Sequence, residues 1–238
     1  MSHDKTFSLP AAGALLALIA LIGSGMPLTV SAQDAAASAE ATTEAETGSE
    51  AKAPDVVVRE AVQRVRGLIQ ENAETYTEDK DAFYAMIDRE IIPHFDMPYI
   101  ARLVLGRHAR QAEPEQRRRF ATAFKETLTR TYADAMLQYN SSVEAEFLPL
   151  RMAEDAERAT VDTRLKVEDG EPIPISFVMH KVDGEWLIYD ISVEGISLVT
   201  NFRAQFNQRI REDGLDALIE RLESGTIETS PTGSSGGQ

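Results

Sequence analysis

The sequence predicts an α+β fold, in which helices pack on one face of a twisted antiparallel sheet and enclose an apolar cavity. Three observations predict it. Up to about Tyr139 apolar residues recur at intervals of three and four, the period of one helix face. From Val143 to Val193 they alternate, in runs punctuated by Asp169-Gly170 and Asp183-Gly184, the pattern of strands joined by hairpins. After Gly195 the helical period returns in Leu198, Val199, Phe202, Phe206 and Ile210. Helices followed by a meander of strands collect on one face of the sheet, because that face must be covered.

Pro54 opens the first helix where a missing N–H costs least, and Val58, Ala61, Val62, Val65, Leu68 and Ile69 form its apolar stripe. Thr77 is the expected cap of a second helix, with Phe83, Met86, Ile87 and Ile91 inward and Pro93 at its end. Asp96 can cap a third, which carries Ile100, Leu103, Val104 and Leu105 and stops at Gly106. Pro114 starts the longest helix, whose inward side shows Phe120, Phe124, Leu128 or Thr127, Tyr132, Met136 and Tyr139. So many aromatics exceed what helix-on-sheet packing requires, although an ordinary core presents the same stripe and periodicity does not separate the two. Strands are expected over Phe147–Leu150, Ala159–Val167, from Ile173 and from Trp186, the last with apolar residues on both faces. That last strand runs through Glu194-Gly195-Ile196-Ser197 directly into an amphipathic helix, a corner suited to closing one end of a cavity.

Of the 238 residues, 43% are hydrophobic, enough for one domain with a sizeable core, placed at 55–223. Residues 1–32 have the layout of a secretory signal peptide: Lys5, an apolar run from Ala11 to Leu21 that is too short for a membrane span, and Val30-Ser31-Ala32. Residues 33–54 form an acidic, Ala/Ser/Thr-rich tether and 224–238 a Gly/Ser tail, neither with the apolar content to offset its ordering entropy. The absence of cysteine excludes a disulfide scaffold, a thiolate metal site, a Cys nucleophile and a lipidated Cys. An exported, unanchored, cysteine-free chain fits the Gram-negative periplasm.

A net charge of −15 argues against nucleic acid as a partner. Between Arg107 and Arg130, however, seven bases face three acids, so Arg107, Arg110, Arg117, Arg118 and Lys125 are candidates for a surface that meets an anionic headgroup or an acidic protein. The plainer account is a solvated helix face laced with pairs one turn apart. No catalytic residue, metal site or cofactor motif is assigned: His94, His108 and His180 lack neighbours at ligand spacing, and no HExxH or phosphate loop occurs in the mature chain. Gly195-Ile196-Ser197-Leu198-Val199 departs from a nucleophile elbow at its fifth residue, so Ser197 reads as a helix cap. Asp190, on an apolar strand, could act as a base with a raised pKa, or could simply accept from a backbone N–H or an Arg.

Trp186-Leu187-Ile188-Tyr189-Asp190-Ile191, then Val193 to Val199, then Asn201-Phe202-Arg203 and Phe206, resemble the signature of the MlaC family, also called the toluene-tolerance Ttg2D proteins. The Phe95-Asp96-Met97 to Leu105-Gly106 block and the helix start from Glu115 to Phe120 are similar to the same family, and the likeness spans about Val56 to Leu222. The resemblance implies a soluble periplasmic carrier with a deep cavity for acyl chains, phospholipid being cargo and no cofactor being needed. It also implies partners: an inner-membrane ABC transporter through its MlaD-like substrate-binding ring, and an MlaA-like outer-membrane lipoprotein–porin complex, in a system that maintains outer-membrane lipid asymmetry.

The physical case is compatible. At about 0.8 kcal/mol per CH₂, roughly thirty CH₂ groups of two tails resist transfer into water by about 20 kcal/mol or more, so lipid needs an enclosed apolar vehicle. Periodicity nominates Phe124, Leu128, Tyr132, Val161, Leu165, Ile175, Phe177, Met179, Trp186, Ile188, Val199 and Phe202 for the cavity wall. Two other classes stay open, an enzyme on the same architecture with Asp190 as base, and a lipid-free adaptor working through the basic surface.

Overall fold

The computed structural model describes residues 52–139, 143–167 and 171–227. The expected signal peptide, all but the last three residues of the expected tether, the Asp169-Gly170 turn and residues 228–238 lie outside the described residues. Helix α1 (Pro54–Glu71), the short α2 (Ala73–Glu78) and α3 (Lys80–Glu90) lead through a 3₁₀ turn (Ile92–His94) to α4 (Met97–Leu105). A second 3₁₀ turn (Gly106–Arg110) precedes α5 (Pro114–Tyr139), 26 residues and so about 39 Å long. The chain then forms β1 (Val143–Phe147), β2 (Arg158–Val167), β3 (Ile173–Val182), β4 (Glu185–Val193) and β5 (Ile196–Ser197), before α6 (Leu198–Asp213) and α7 (Leu215–Glu223).

The sheet is an antiparallel meander in the order β1-β2-β3-β4-β5. Asp183 and Gly184 both have positive φ (51° and 89°), as do Glu194 and Gly195 (51° and 79°), the backbone that tight two-residue hairpins demand. One sheet face is packed: Val161, Leu165, Ile175, Phe177, Met179, Trp186 and Ile188 are buried together with Val58 and Val62 of α1. A second cluster joins α4, α5, α6 and α7 around Phe120, Phe124, Phe202 and Phe206, whose rings pair with centroids 5.2–5.9 Å apart. A third joins α1, α3 and α5 around Phe83, Met86 and Tyr132.

Three local expectations are corrected. The cap of α3 is Asp79, whose carboxylate accepts from Ala82 N at 3.0 Å, while Thr77 bonds back to the Ala73 carbonyl inside the extra helix α2. The first strand is Val143–Phe147 rather than Phe147–Leu150; Leu148 N still donates to Asp162 O, after which Pro149, with no N–H to give, leaves the ladder. Gly106 turns the chain with φ 55°, but the backbone continues as a 3₁₀ turn instead of stopping. A Cβ there would meet Arg203 Cδ at 3.0 Å, so glycine permits both the turn and the close approach of α6. At the far end the fold continues beyond Glu223, since Ile227 is buried in the second cluster.

Candidate functional site

Where the three clusters meet, they leave a cavity of about 220 Å³. Its walls are Val58, Ala61, Val62 and Val65 from α1, Ile87 and Ile91 at the end of α3, Ile100 and Val104 from α4, Phe124, Leu128, Tyr132 and Met136 from α5, Phe177 from β3, Ile188 from β4, and Val199 and Phe202 from α6. Most of the wall is helix or strand, whose backbone polar groups are used internally, so that side chains set the character of the space.

Two features of β4 shape the floor. The pairing of β3 with β4 shifts register between Val178↔Asp190 and Met179↔Ile188, which leaves Tyr189 as an extra residue. This bulge breaks the alternation, and Ile188, Tyr189, Asp190 and Ile191 all border the cavity in succession. Beside it, Asp96 N donates to Ile188 O at 3.0 Å, docking the start of α4 on the bulged strand. Asp96 also accepts from Tyr99 N at 3.0 Å and contacts His180 Nε2 at 3.0 Å, while Phe95 and Met97 on either side border the cavity. The Phe-Asp-Met block thus places two apolar walls around one polar anchor.

Polar groups sit mainly at the rim. Glu90 accepts from Arg89 Nε at 2.8 Å and Arg64 Nε at 3.1 Å, and these bonds hold its carboxyl below the usual range. Burial pushes the His94 imidazole down, since a charged ring there would lose solvation. Lys125 reaches Asp88 at 2.9 Å, and Thr129 lies one turn along α5. Burial alone pushes the Tyr132 phenol up to about 12. Among the described residues no three His, Cys, Asp or Glu side chains gather in a way that could hold a metal ion.

Asp190 is committed to the corner. One carboxylate oxygen accepts from Ser197 Oγ at 2.6 Å and the other from Val199 N at 3.1 Å, while Ser197 Oγ accepts from Thr200 N at 3.1 Å as the N-cap of α6. Both candidate reactive groups therefore hold the strand-to-helix turn. They satisfy N–H groups that the first turn of α6 would otherwise leave unpaired.

Of the wall residues nominated from periodicity, Phe124, Leu128, Tyr132, Phe177, Ile188, Val199 and Phe202 border the cavity. Val161, Leu165, Ile175, Met179 and Trp186 lie elsewhere, packed with one another and with Val58 and Val62 on the sheet. They share the inward face, but α1 covers them. The contributions of α1, α3 and α4 were missed as cavity walls; their apolar stripes are plain in the sequence, yet nothing local says which stripe faces an opening. On the basic surface, Arg117 donates to the Ala109 and Ala112 carbonyls, Arg118 pairs with Glu115 and Lys125 with Asp88. Arg107 and Arg110 are exposed and pair with no carboxylate among the described residues.

A family model described as MlaC protein matches residues 59–224. The toluene tolerance protein ttg2D of Pseudomonas putida is 29% identical over 167 residues, covering 70% of this chain and 77% of the relative. The intermembrane phospholipid transport system binding protein MlaC of Haemophilus influenzae is 23% identical over 178 residues, covering 71% and 80%. A solved structure, the phospholipid-binding protein from Ralstonia solanacearum in complex with a phospholipid, superposes with a TM-score of 0.66 at 26% identity, covering 72% of this chain and 95% of that one.

Proposed function

For a chain that belongs to the MlaC family, we propose the role of a phospholipid carrier, which holds acyl chains in the cavity between sheet and helices and leaves the headgroup at the polar rim. The observation that carries this reading is the cavity itself, walled by aliphatic and aromatic side chains from seven helical and strand elements with its charged neighbours at the edge. Each tail CH₂ removed from water contributes about 0.8 kcal/mol, so such walls retain lipid without specific polar contacts. At about 220 Å³ the cavity is smaller than the roughly 300–1,000 Å³ of typical ligand sites. Loading therefore moves walls apart, and affinity follows tail volume more than headgroup chemistry.

The chain works in the periplasm after removal of residues 1–32, with 33–54 as a tether and the MlaC-like domain from 55 through Ile227. It exchanges lipid with an MlaD-like ring of an inner-membrane ABC transporter and with an MlaA-like outer-membrane lipoprotein–porin complex. No helix among the described residues is long and apolar enough to cross a membrane, which suits a vehicle that moves between two of them. Arg107 and Arg110, unpaired with acids, are the groups best placed to meet an anionic partner. Chemistry is not needed for this task, and Asp190 and Ser197 are engaged in holding the α6 corner. The test is lipid extraction and mass spectrometry of protein purified from an envelope fraction: near-stoichiometric phospholipid is expected. A preparation that is empty and also takes up none from vesicles would overturn the reading.

A further inference from the structure

The cavity wall includes one group that tail packing does not use. Tyr132 lies on the inward face of α5, 9% exposed, clustered with Val65, Ile69, Phe83 and Met86, and it borders the cavity. Its hydroxyl is buried and has no hydrogen-bond partner among the described residues. Arg66 Nε is the other such side-chain atom among the described residues, and Arg66 does not border the cavity. A buried hydroxyl without a partner costs stability that phenylalanine would spare. A tyrosine at this position therefore calls for an acceptor that arrives with the ligand.

Position narrows the acceptor. Leu128 and Thr129, one turn back along α5, border the same cavity as Tyr132, and so does Lys125, two turns back at the polar rim. In a phospholipid the atoms between tails in an apolar space and a headgroup at its edge are the acyl esters, whose carbonyl oxygens accept hydrogen bonds and donate none. Building on the carrier reading, we propose that Tyr132 recognises the ester linkage of the bound lipid, its hydroxyl donating a hydrogen bond to an acyl-ester carbonyl oxygen. The residue thereby distinguishes ester-linked glycerolipid from any hydrocarbon that would merely fill the cavity.

The test compares delipidated wild type with Tyr132→Phe, each titrated with dipalmitoyl phosphatidylglycerol and with its diether analogue, which keeps headgroup and chain length but lacks both carbonyls. The wild type binds the diester tighter by roughly two- to tenfold, the range of one neutral hydrogen bond. Tyr132→Phe binds both at the wild-type diether level. In urea, delipidated Tyr132→Phe unfolds at or above the wild-type midpoint. Equal binding of the two lipids by the wild type, or an ester preference that survives in Tyr132→Phe, overturns the assignment. So does a lowered midpoint for the delipidated variant, which would give the hydroxyl a partner in the protein or in ordered water. Uptake of neither lipid by the wild type instead overturns the carrier reading, and the assignment with it.

Discussion

Ala61 is the smallest side chain on the face of α1 that borders the cavity, and it is half-buried. Ala61→Phe would place a phenyl ring where the tails are proposed to lie. At about 24 cal/mol per Å³ of unfilled apolar volume, a cavity of about 220 Å³ withholds at most on the order of 5 kcal/mol of packing. A ring that fills about a third of the space recovers about 1–2 kcal/mol. Binding and stability should then move in opposite directions. In urea, delipidated Ala61→Phe should show a raised midpoint with unchanged slope, since the surface exposed on unfolding is nearly the same. Phospholipid recovered per protein chain, measured by mass spectrometry, should fall by about half or more, because the walls must now separate further to admit a tail. A destabilised variant that still carries a full complement of lipid would refute the reasoning: the space beside Ala61 would be neither unfilled nor used by cargo.

Asp190→Asn should lower stability by about 1–2 kcal/mol, because one of its two acceptor bonds to the α6 corner is lost, with lipid content unchanged. An unaltered denaturation midpoint would show that the carboxylate does not secure that corner. His94 titrates below its ordinary value of 6.5 through burial, so between its depressed folded value and that point the unfolded chain binds more protons. Stability should be full above about pH 6.5 and be lost as pH falls through the window, and His94→Gln should flatten that part of a stability–pH curve. Arg107→Glu combined with Arg110→Glu should slow association with an anionic partner by about tenfold at low salt, an effect that shrinks as salt rises, while lipid loading stays intact. Surface-binding kinetics at two ionic strengths would check it, and a salt-independent loss would point to misfolding instead.

Much of the architecture was legible because each element carries its own signal. The α5 bounds follow from Pro114 and the long aromatic stripe, and the β3–β4 hairpin from Asp183-Gly184. What escaped depends on relations between distant elements. Asp79 and Thr77 are both good caps two residues apart; the break falls at Asp79, whose backbone is extended (φ −119°, ψ 93°), and Tyr76 packs against Phe83 across it. The bulge at Tyr189 has no local mark, yet it turns four successive β4 residues to the cavity. Likewise Leu165 and Phe177 read identically as inward strand residues and both pack with Val58 and Val62 of α1, yet of the two only Phe177 also borders the cavity, with Phe124 of α5 and Phe202 of α6. The dual use of Asp190 and Ser197 was half visible: the cap was expected, but the bond between them requires the hairpin to have formed.

Photo-crosslinking with a phospholipid that carries a diazirine near the end of one acyl chain tests the central claim most directly. If fatty chains enter between the sheet and the helices, the modified peptides should contain the cavity-facing stretches of α5, β4 and α6, with Phe124, Ile188 and Phe202 among the labelled residues. Label confined to exposed surface, or found on Leu165 and Met179 beneath α1 while those three stay clean, would contradict it.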